Sequence, residues 1–433
     1  FFLLLFFGAE WIATWMGNHE MLTLPIRSVS FALLIVPFLS ALRGFFQGYQ
    51  DMLPTALSQV VEQTIRVATI LFLSWYFIDF GYGTVYAGAG AVFGAFTGGI
   101  GALCVLIYFW QKKRIPSVQR SALVEGRWKV IRAIYALALP ICIGSLVYPL
   151  FGLVDSFTVA NLLEQNGWSL SEAIVMKGVY DRGQPLAQFA VFFATGLSLS
   201  IVPAIAEAKE QNQTEEVEER ARLALKLTWL LGWAASVGLA LIAMPANVML
   251  FEDAAGSDAL AILAFTTIFS TLGITSAGIL QGMGYVYLPA FHILLGVLVK
   301  LGLNILLIPQ WDIRGAAVAT VLSYALATML NLWLLKRRLR IHLSMDEWKK
   351  TLGAVLLLIL VVTLVMKGLI LFTTFLTLRL AMTVTAVGSV LIGGWVYLWA
   401  VLRFGLIRKE DLEQVPGLQK KLISFLQKRG LLP

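Results

Sequence analysis

The sequence predicts an all-α integral membrane protein. Its 433 residues are 59% hydrophobic and only 13% charged, whereas about a quarter of a soluble domain's residues are charged. Mean hydropathy is +0.81. The apolar residues fall in runs long enough to cross ~30 Å of hydrocarbon as helix. The basic residues gather in alternate connections between those runs. Net charge is +8 and the pI about 9.4, which in such a chain sets cations against anionic lipid and argues against a nucleic-acid partner.

In chain order, "FFLLLFFGAEWIATWM" (1–16) has no basic stretch before its apolar core and no small-residue cleavage site. It reads as the remnant of a transmembrane helix, not as a signal peptide. Apolar runs follow at 28–49, 53–78, 85–110, 131–158, 179–204, 222–246, 258–281, 286–308, 314–335, 350–371 and 377–402, eleven expected spans after the remnant. The third of these places Gly90, Gly94 and Gly98 on one helix face, which suits close helix packing. Pro140, Pro149, Pro185, Pro203 and Pro289 predict kinks. Cys104 and Cys142 sit in separate apolar runs with no metal spacing, and read as two small buried hydrophobes.

Orientation follows from the connections. One alternating set holds Lys112, Lys113, Arg114, Arg120, Arg127, Lys129 and Arg132, then Lys209, Arg220 and Arg222, then Lys336–Arg338, Arg340, Lys349, Lys350 and the tail cations. The other holds little beyond Arg27, Lys177 and Arg314. The first set and the C-terminus are therefore expected in the cytoplasm. In the tail, Leu418, Leu422, Phe425 and Leu426 share a helical face with Lys420, Lys421, Lys428 and Arg429 around the other, a pattern for a helix lying on the membrane surface.

The chain also repeats itself. "RGFFQGYQDMLPTALSQVVEQTIRV" is echoed by "AGILQGMGYVYLPAFHILLGVLVKL": Gln47-Gly48 returns as Gln281-Gly282 and Arg66 as Lys300, both at the same separation along the chain. Six spans separate the echoes, which predicts two six-helix lobes related by a parallel pseudo-two-fold repeat, the arrangement of transporters that bind substrate between halves. The expected organisation is 1–111 for the remainder of an N-terminal lobe and 112–130 for a basic cytoplasmic linker. A C-terminal lobe at 131–340, an extra helix pair at 341–405 and a basic amphipathic tail at 406–433 complete it. On this count the first two helices and the start of the third precede residue 1.

The first echo, the "YDRGQPLAQF…SLSIVP" block at 180–203 and the second echo resemble the MOP exporter superfamily. They are most similar to its MurJ and stage V sporulation protein B type of lipid-linked oligosaccharide flippase from Gram-positive bacteria. The resemblance implies fourteen transmembrane helices and transport of a polyprenyl-diphosphate-linked sugar from inner to outer leaflet. It also implies that Arg182 is a cavity residue and that 350–371 and 377–402 form a lipid-tail groove. Membrane lipids are expected partners, and ion coupling or the membrane potential the expected drive.

Charged residues inside the spans are the candidate site, because each costs at least ~2.5–3.5 kcal/mol at bilayer depth unless it faces protein or water. Glu62 and Arg66 stand one turn apart, acid first. Either they neutralise each other inside a lobe, or Arg66 and Lys300 face the central cleft to hold the diphosphate. Lys300 has Gly296 where an acid would be, so its charge must be met elsewhere. Asp155 can pair with Arg182, take part in ion coupling or line a solvated wall; Asp181 points away from Arg182. Arg43 suits snorkelling or substrate contact. Lys367 and Arg379 read as interface anchors. His19, His292 and His342 are scattered and form no catalytic or metal motif, so no catalytic residue, metal or cofactor is expected. A cation-coupled multidrug exporter and, further off, a membrane glycosyltransferase or ligase are the alternatives.

Overall fold

Backbone groups in hydrocarbon find no water to bond, so apolar runs of this length must be helical or close into a barrel. The computed structural model describes residues 1–17, 19–49, 51–112, 127–339, 345–373 and 375–407, and every regular element among them is a helix. The expected linker cations at 113–126, together with Arg340, His342 and the tail from 408, lie outside the described residues. Eight helical stretches among the described residues are long and apolar enough to cross a membrane. The chain divides into two compact units, Phe1–Arg132 and Ala133–Pro433.

Unit 1 holds α1 (Phe2–Trp15), α2 (His19–Ser30), α3 (Ala32–Gly48), α4 (Leu53–Asp79) and α5 (Thr84–Lys112). Helix α5 is the hub: α2, α3 and α4 all pack on it. The glycine face explains its closest neighbour. A Cβ on Gly98 would stand 2.6 Å from the Glu62 carbonyl oxygen, one on Gly94 3.0 Å from that of Arg66, and one on Gly90 2.8 Å from Leu73 Cβ. Only glycines let the backbone of α4 come this near. Cys104, expected to be buried, is exposed on α5. A helix face turned to hydrocarbon accepts a small hydrophobe as readily as a core does.

Unit 2 begins within α6 (Arg127–Gln165), followed by α7 (Leu170–Asp181), α8 (Gly183–Glu210), α9 (Thr214–Leu241) and α10 (Ala243–Phe251). Then come α11 (Ser257–Leu263), α12 (Thr266–Gly282), α13 (Tyr287–Arg338), α14 (Met345–Phe372) and α15 (Leu378–Arg403). A straight helix of the length of α13 would run about 78 Å, over twice the hydrocarbon thickness. Helix α13 instead reverses at Trp311 and Asp312, where φ is −133° and 50°. The result is two arms, 287–310 and 313–338, matching the two separate runs seen in the sequence. Gly296 permits the arms to touch, since its Cβ would stand 3.0 Å from the Ser323 carbonyl oxygen. His292 Nδ1 meets Asn331 Oδ1 at 2.7 Å across them. At the reversal, Trp168 Nε1 donates to Asp312 Oδ1 (3.1 Å) and Asn166 Nδ2 to the Pro309 carbonyl (2.8 Å).

Helix α12 is the buried centre of unit 2, packed by α8, α9 and α13. Helices α14 and α15 pair with each other and dock on α9, where Tyr397 Oη donates to the Leu230 carbonyl at 2.9 Å. The outward face of α14 is a stripe of exposed leucines, Leu352, Leu356, Leu360 and Leu364. Such a stripe suits a face turned to hydrocarbon. Element boundaries also recur. Helix α3 and the start of α4 at Leu53 return as α12 and the start of α13 at Tyr287, and the break at Phe31 returns at Phe265. The separation is the one that relates Gln47-Gly48 to Gln281-Gly282.

Candidate functional site

Among the described residues, charged positions singled out in the sequence fall in three clusters, each built around an ion pair. In unit 1, Glu62 lies between two arginines. Arg66 Nη2 donates to its Oε1 at 2.6 Å from one turn along α4, and Arg43 Nη2, from α3, donates to its Oε2 at 2.8 Å. Arg43 Nε also donates to Ser58 Oγ at 3.0 Å. The carboxylate side chain is 12% exposed, Arg43 20% and Arg66 32%. The i,i+4 pair read in the sequence is present, and Arg43 joins it instead of standing alone at a helix end. One acid and two bases leave one net positive charge. Arg66 Nε is buried with no hydrogen-bond partner.

In unit 2 the cluster is sealed. Lys300, on the first arm of α13, is 1% exposed and Asp155, on α6, 0%. Lys300 Nζ donates to Asp155 Oδ2 at 2.6 Å and to the Phe151 carbonyl at 2.9 Å. Asp155 accepts two further bonds, from Tyr180 Oη (3.0 Å) and Asn304 Nδ2 (3.2 Å). Asn304 Nδ2 also donates to Thr158 Oγ1 at 2.8 Å, and Tyr180 Oη shares a bond of 2.9 Å with Thr320 Oγ1. The charge of Lys300 is thus met, as its sequence required, but by an acid on a distant helix. The pairing of Asp155 with Arg182 does not form. It is Tyr180, two positions earlier on α7, that reaches the carboxylate. Lys300 has no surface open to a headgroup.

Arg182 sits at the junction of α7 and α8, 28% exposed. Its Nη1 donates to both carboxylate oxygens of Asp253 at 2.9 Å, and its guanidinium lies 4.7 Å from the Phe251 ring centroid. Hydrogen bonds from Arg182 and from the Ala255 backbone hold the Asp253 carboxyl below its usual pKa range. Asp253 belongs to the α10–α11 loop; its neighbours in the loop and in the first turn of α11 are likewise taken by arginines from other elements, Glu252 by Arg379 of α15 and Asp258 by Arg314 of α13. Arg379, expected as an interface anchor, also pairs with Glu252. Asp181 pairs with Lys177 one turn back. Among the described residues, no three His, Cys, Asp or Glu side chains group as metal ligands.

Sequence reasoning missed Asn304, Tyr180 and Asp253. Asn304 carried a signal, one helical turn after Lys300 in an apolar run. Asp253 carried none, since its loop is far along the chain from Arg182 and reads as ordinary connection.

Residues 1–191 match the family model "Polysaccharide biosynthesis protein", and residues 140–306 match the MatE model. An uncharacterized membrane protein of Bacillus subtilis (strain 168), YabM, is 37% identical over 437 residues, covering 99% of this chain and 80% of its own. The chain belongs to the polysaccharide biosynthesis family of the MOP superfamily. Another member, the lipid II flippase MurJ of Bacillus subtilis (strain 168), is 28% identical over 92% of this chain and 75% of its own. Among solved structures, a lipid II flippase MurJ in an inward closed conformation aligns over 93% of this chain and 81% of its own with a TM-score of 0.63. An inward-facing multidrug resistance MATE transporter of the MOP superfamily aligns over 78% and 76% with 0.66. Both are 14% identical to this family member, so they speak for the MOP fold alone.

Proposed function

We propose that this chain is a flippase that moves a polyprenyl-diphosphate-linked oligosaccharide of the lipid II kind from the inner to the outer leaflet of a bacterial cell membrane, by alternating access. The cluster of Arg43, Glu62 and Arg66 carries this reading. It sets a net positive charge among apolar helices, with a buried guanidinium N–H to spare. A guanidinium stays charged when partly dehydrated and forks onto phosphate oxygens. Arg182 is a second headgroup contact, accessible and attached to a carboxylate that a diphosphate can replace. The lipid II flippase MurJ among the relatives supports the same substrate class.

Nothing in this task needs a bond made or broken, so the protein is a transporter and not an enzyme. With the basic connections and C-terminus in the cytoplasm, an inside-negative potential drives the anionic headgroup outward, at roughly 4–5 kcal/mol for two charges per 100 mV. Depletion of the protein in cells tests the proposal. The lipid-linked precursor should accumulate on the inner leaflet, and an unchanged leaflet distribution would overturn the reading.

A second reading, a cation-coupled multidrug exporter, draws on the MatE match over 140–306. Such a protein needs an acid open to an organic cation. The deep acid of that region, Asp155, is sealed and already neutralised by Lys300. Saturable uptake of an organic cation by everted vesicles would favour this reading over the flippase.

A further inference from the structure

The sealed cluster of unit 2 has the parts of a cation seat. Its positive group rests on one carboxylate oxygen and one backbone carbonyl, Asp155 Oδ2 and Phe151 O. The Phe151 ring centroid lies 5.6 Å from Lys300 Nζ, and that ring is stacked on Tyr324 at 4.1 Å. Aromatic faces attract cations. Asn304, bonded to the same carboxylate, has its Oδ1 buried with no hydrogen-bond partner. With Lys300 removed, this free acceptor is one more oxygen that a cation resting on Asp155 could use. The seat holds one acid among neutral oxygens, so it balances a single positive charge. Divalent ions take more oxygens and usually more carboxylates.

We propose that the Asp155 seat is a monovalent-cation site that the protein fills with its own ammonium, Lys300, so that no exchangeable ion binds there. Its bearing on transport rests on the flippase reading above. A tethered cation cannot be loaded on one side and released on the other, so this seat does not couple transport to an ion gradient. Lysine suits the role because its ammonium is a compact point charge with three donors on a long flexible stem.

Thermal unfolding of the whole purified chain tests this, in chloride salts of sodium, potassium or choline at equal ionic strength. The natural protein should unfold at the same temperature in all three. A saturable rise specific to sodium or potassium would overturn the proposal. Lys300→Ala empties the seat and leaves Asp155 unpaired. Its midpoint should fall by roughly 3–6 °C in choline, and sodium, potassium or methylammonium should restore at least half of that loss. Asp155→Asn with Lys300→Ala should show no cation response. A folded Lys300→Ala protein indifferent to all these cations would also overturn it. If Lys300→Ala yields no folded protein in choline, it is prepared in sodium or methylammonium chloride. Recovery there supports the seat, and failure in every salt while the double variant folds overturns it. Where neither variant folds, the natural protein's salt comparison decides alone. No readout involves the lipid substrate, so failure of the seat and failure of the flippase reading are separate results.

Discussion

At position 62 one carboxylate answers two guanidiniums, so its removal and the removal of either partner are unequal. Glu62→Gln leaves Arg43 and Arg66 side by side without an acid, whereas Arg66→Ala leaves a neutral Arg43–Glu62 pair. Breaking a sealed pair costs ~3–5 kcal/mol. Partial exposure of Arg66 lowers that to about 1–3 kcal/mol for Glu62→Gln, with Arg66→Ala closer to neutral, as thermal unfolding in detergent would register. If the cluster meets the headgroup, Arg66→Ala should still depress transport. Arg182 permits a sharper separation. Arg182→Ala should abolish transport with membrane insertion intact, and Arg182→Lys should rescue only in part because the planar fork is lost. Removing Asp253 as well, in the double change with Arg182→Ala, leaves no unpaired charge. That double variant should remain inactive; recovered transport would reduce Arg182 to a partner for Asp253.

Helices meet through their smallest residues, and α5 offers paired positions to show it. Gly98→Ala would press a Cβ against a backbone oxygen of α4, which no side-chain adjustment relieves. It should destabilise by about 1–3 kcal/mol. Gly88→Ala, on the same helix with nothing within 4 Å, should instead be neutral or gain up to about 1 kcal/mol from helix propensity. Comparison of the two midpoints checks the pair. The α10–α11 loop makes a pH prediction. Asp253 has a depressed carboxyl pKa, so its ion pair with Arg182 contributes fully above the usual carboxylate value of ~3.9 and is lost only as pH falls through the lower folded value. The carboxyl carbon resonance of Asp253 should therefore stay flat from pH 8 to 5, and Arg182→Ala should return its titration towards the ordinary range.

The sequence showed the membrane spans well because apolar run length and helix length are tied by bilayer thickness. It also showed Glu62 with Arg66, since one helical turn separates them. It did not show that Lys300 belongs with Asp155, because nothing local links positions so far apart in the chain, and it missed α10, which starts within the run at 222–246 and continues past its end. The expected orientation is checked by labelling from outside intact cells, with Cys104 and Cys142 replaced. A cysteine at Ser171 should react with an impermeant thiol reagent and one at Asn212 should not. The recurrence of helix boundaries at one fixed separation has a further consequence, in the currency of heredity. Position 296 stands where Glu62 stands in the other copy, yet a Cβ there would meet the Ser323 carbonyl, the Phe151 ring and Ala327 at 3.0–3.3 Å. That place has no room for an acid. A strain crippled by Asp155→Ala should accordingly yield revertants that lose the charge of Lys300, and none that acquire an acid at Gly296; matching positions of the two stretches leave different ways back.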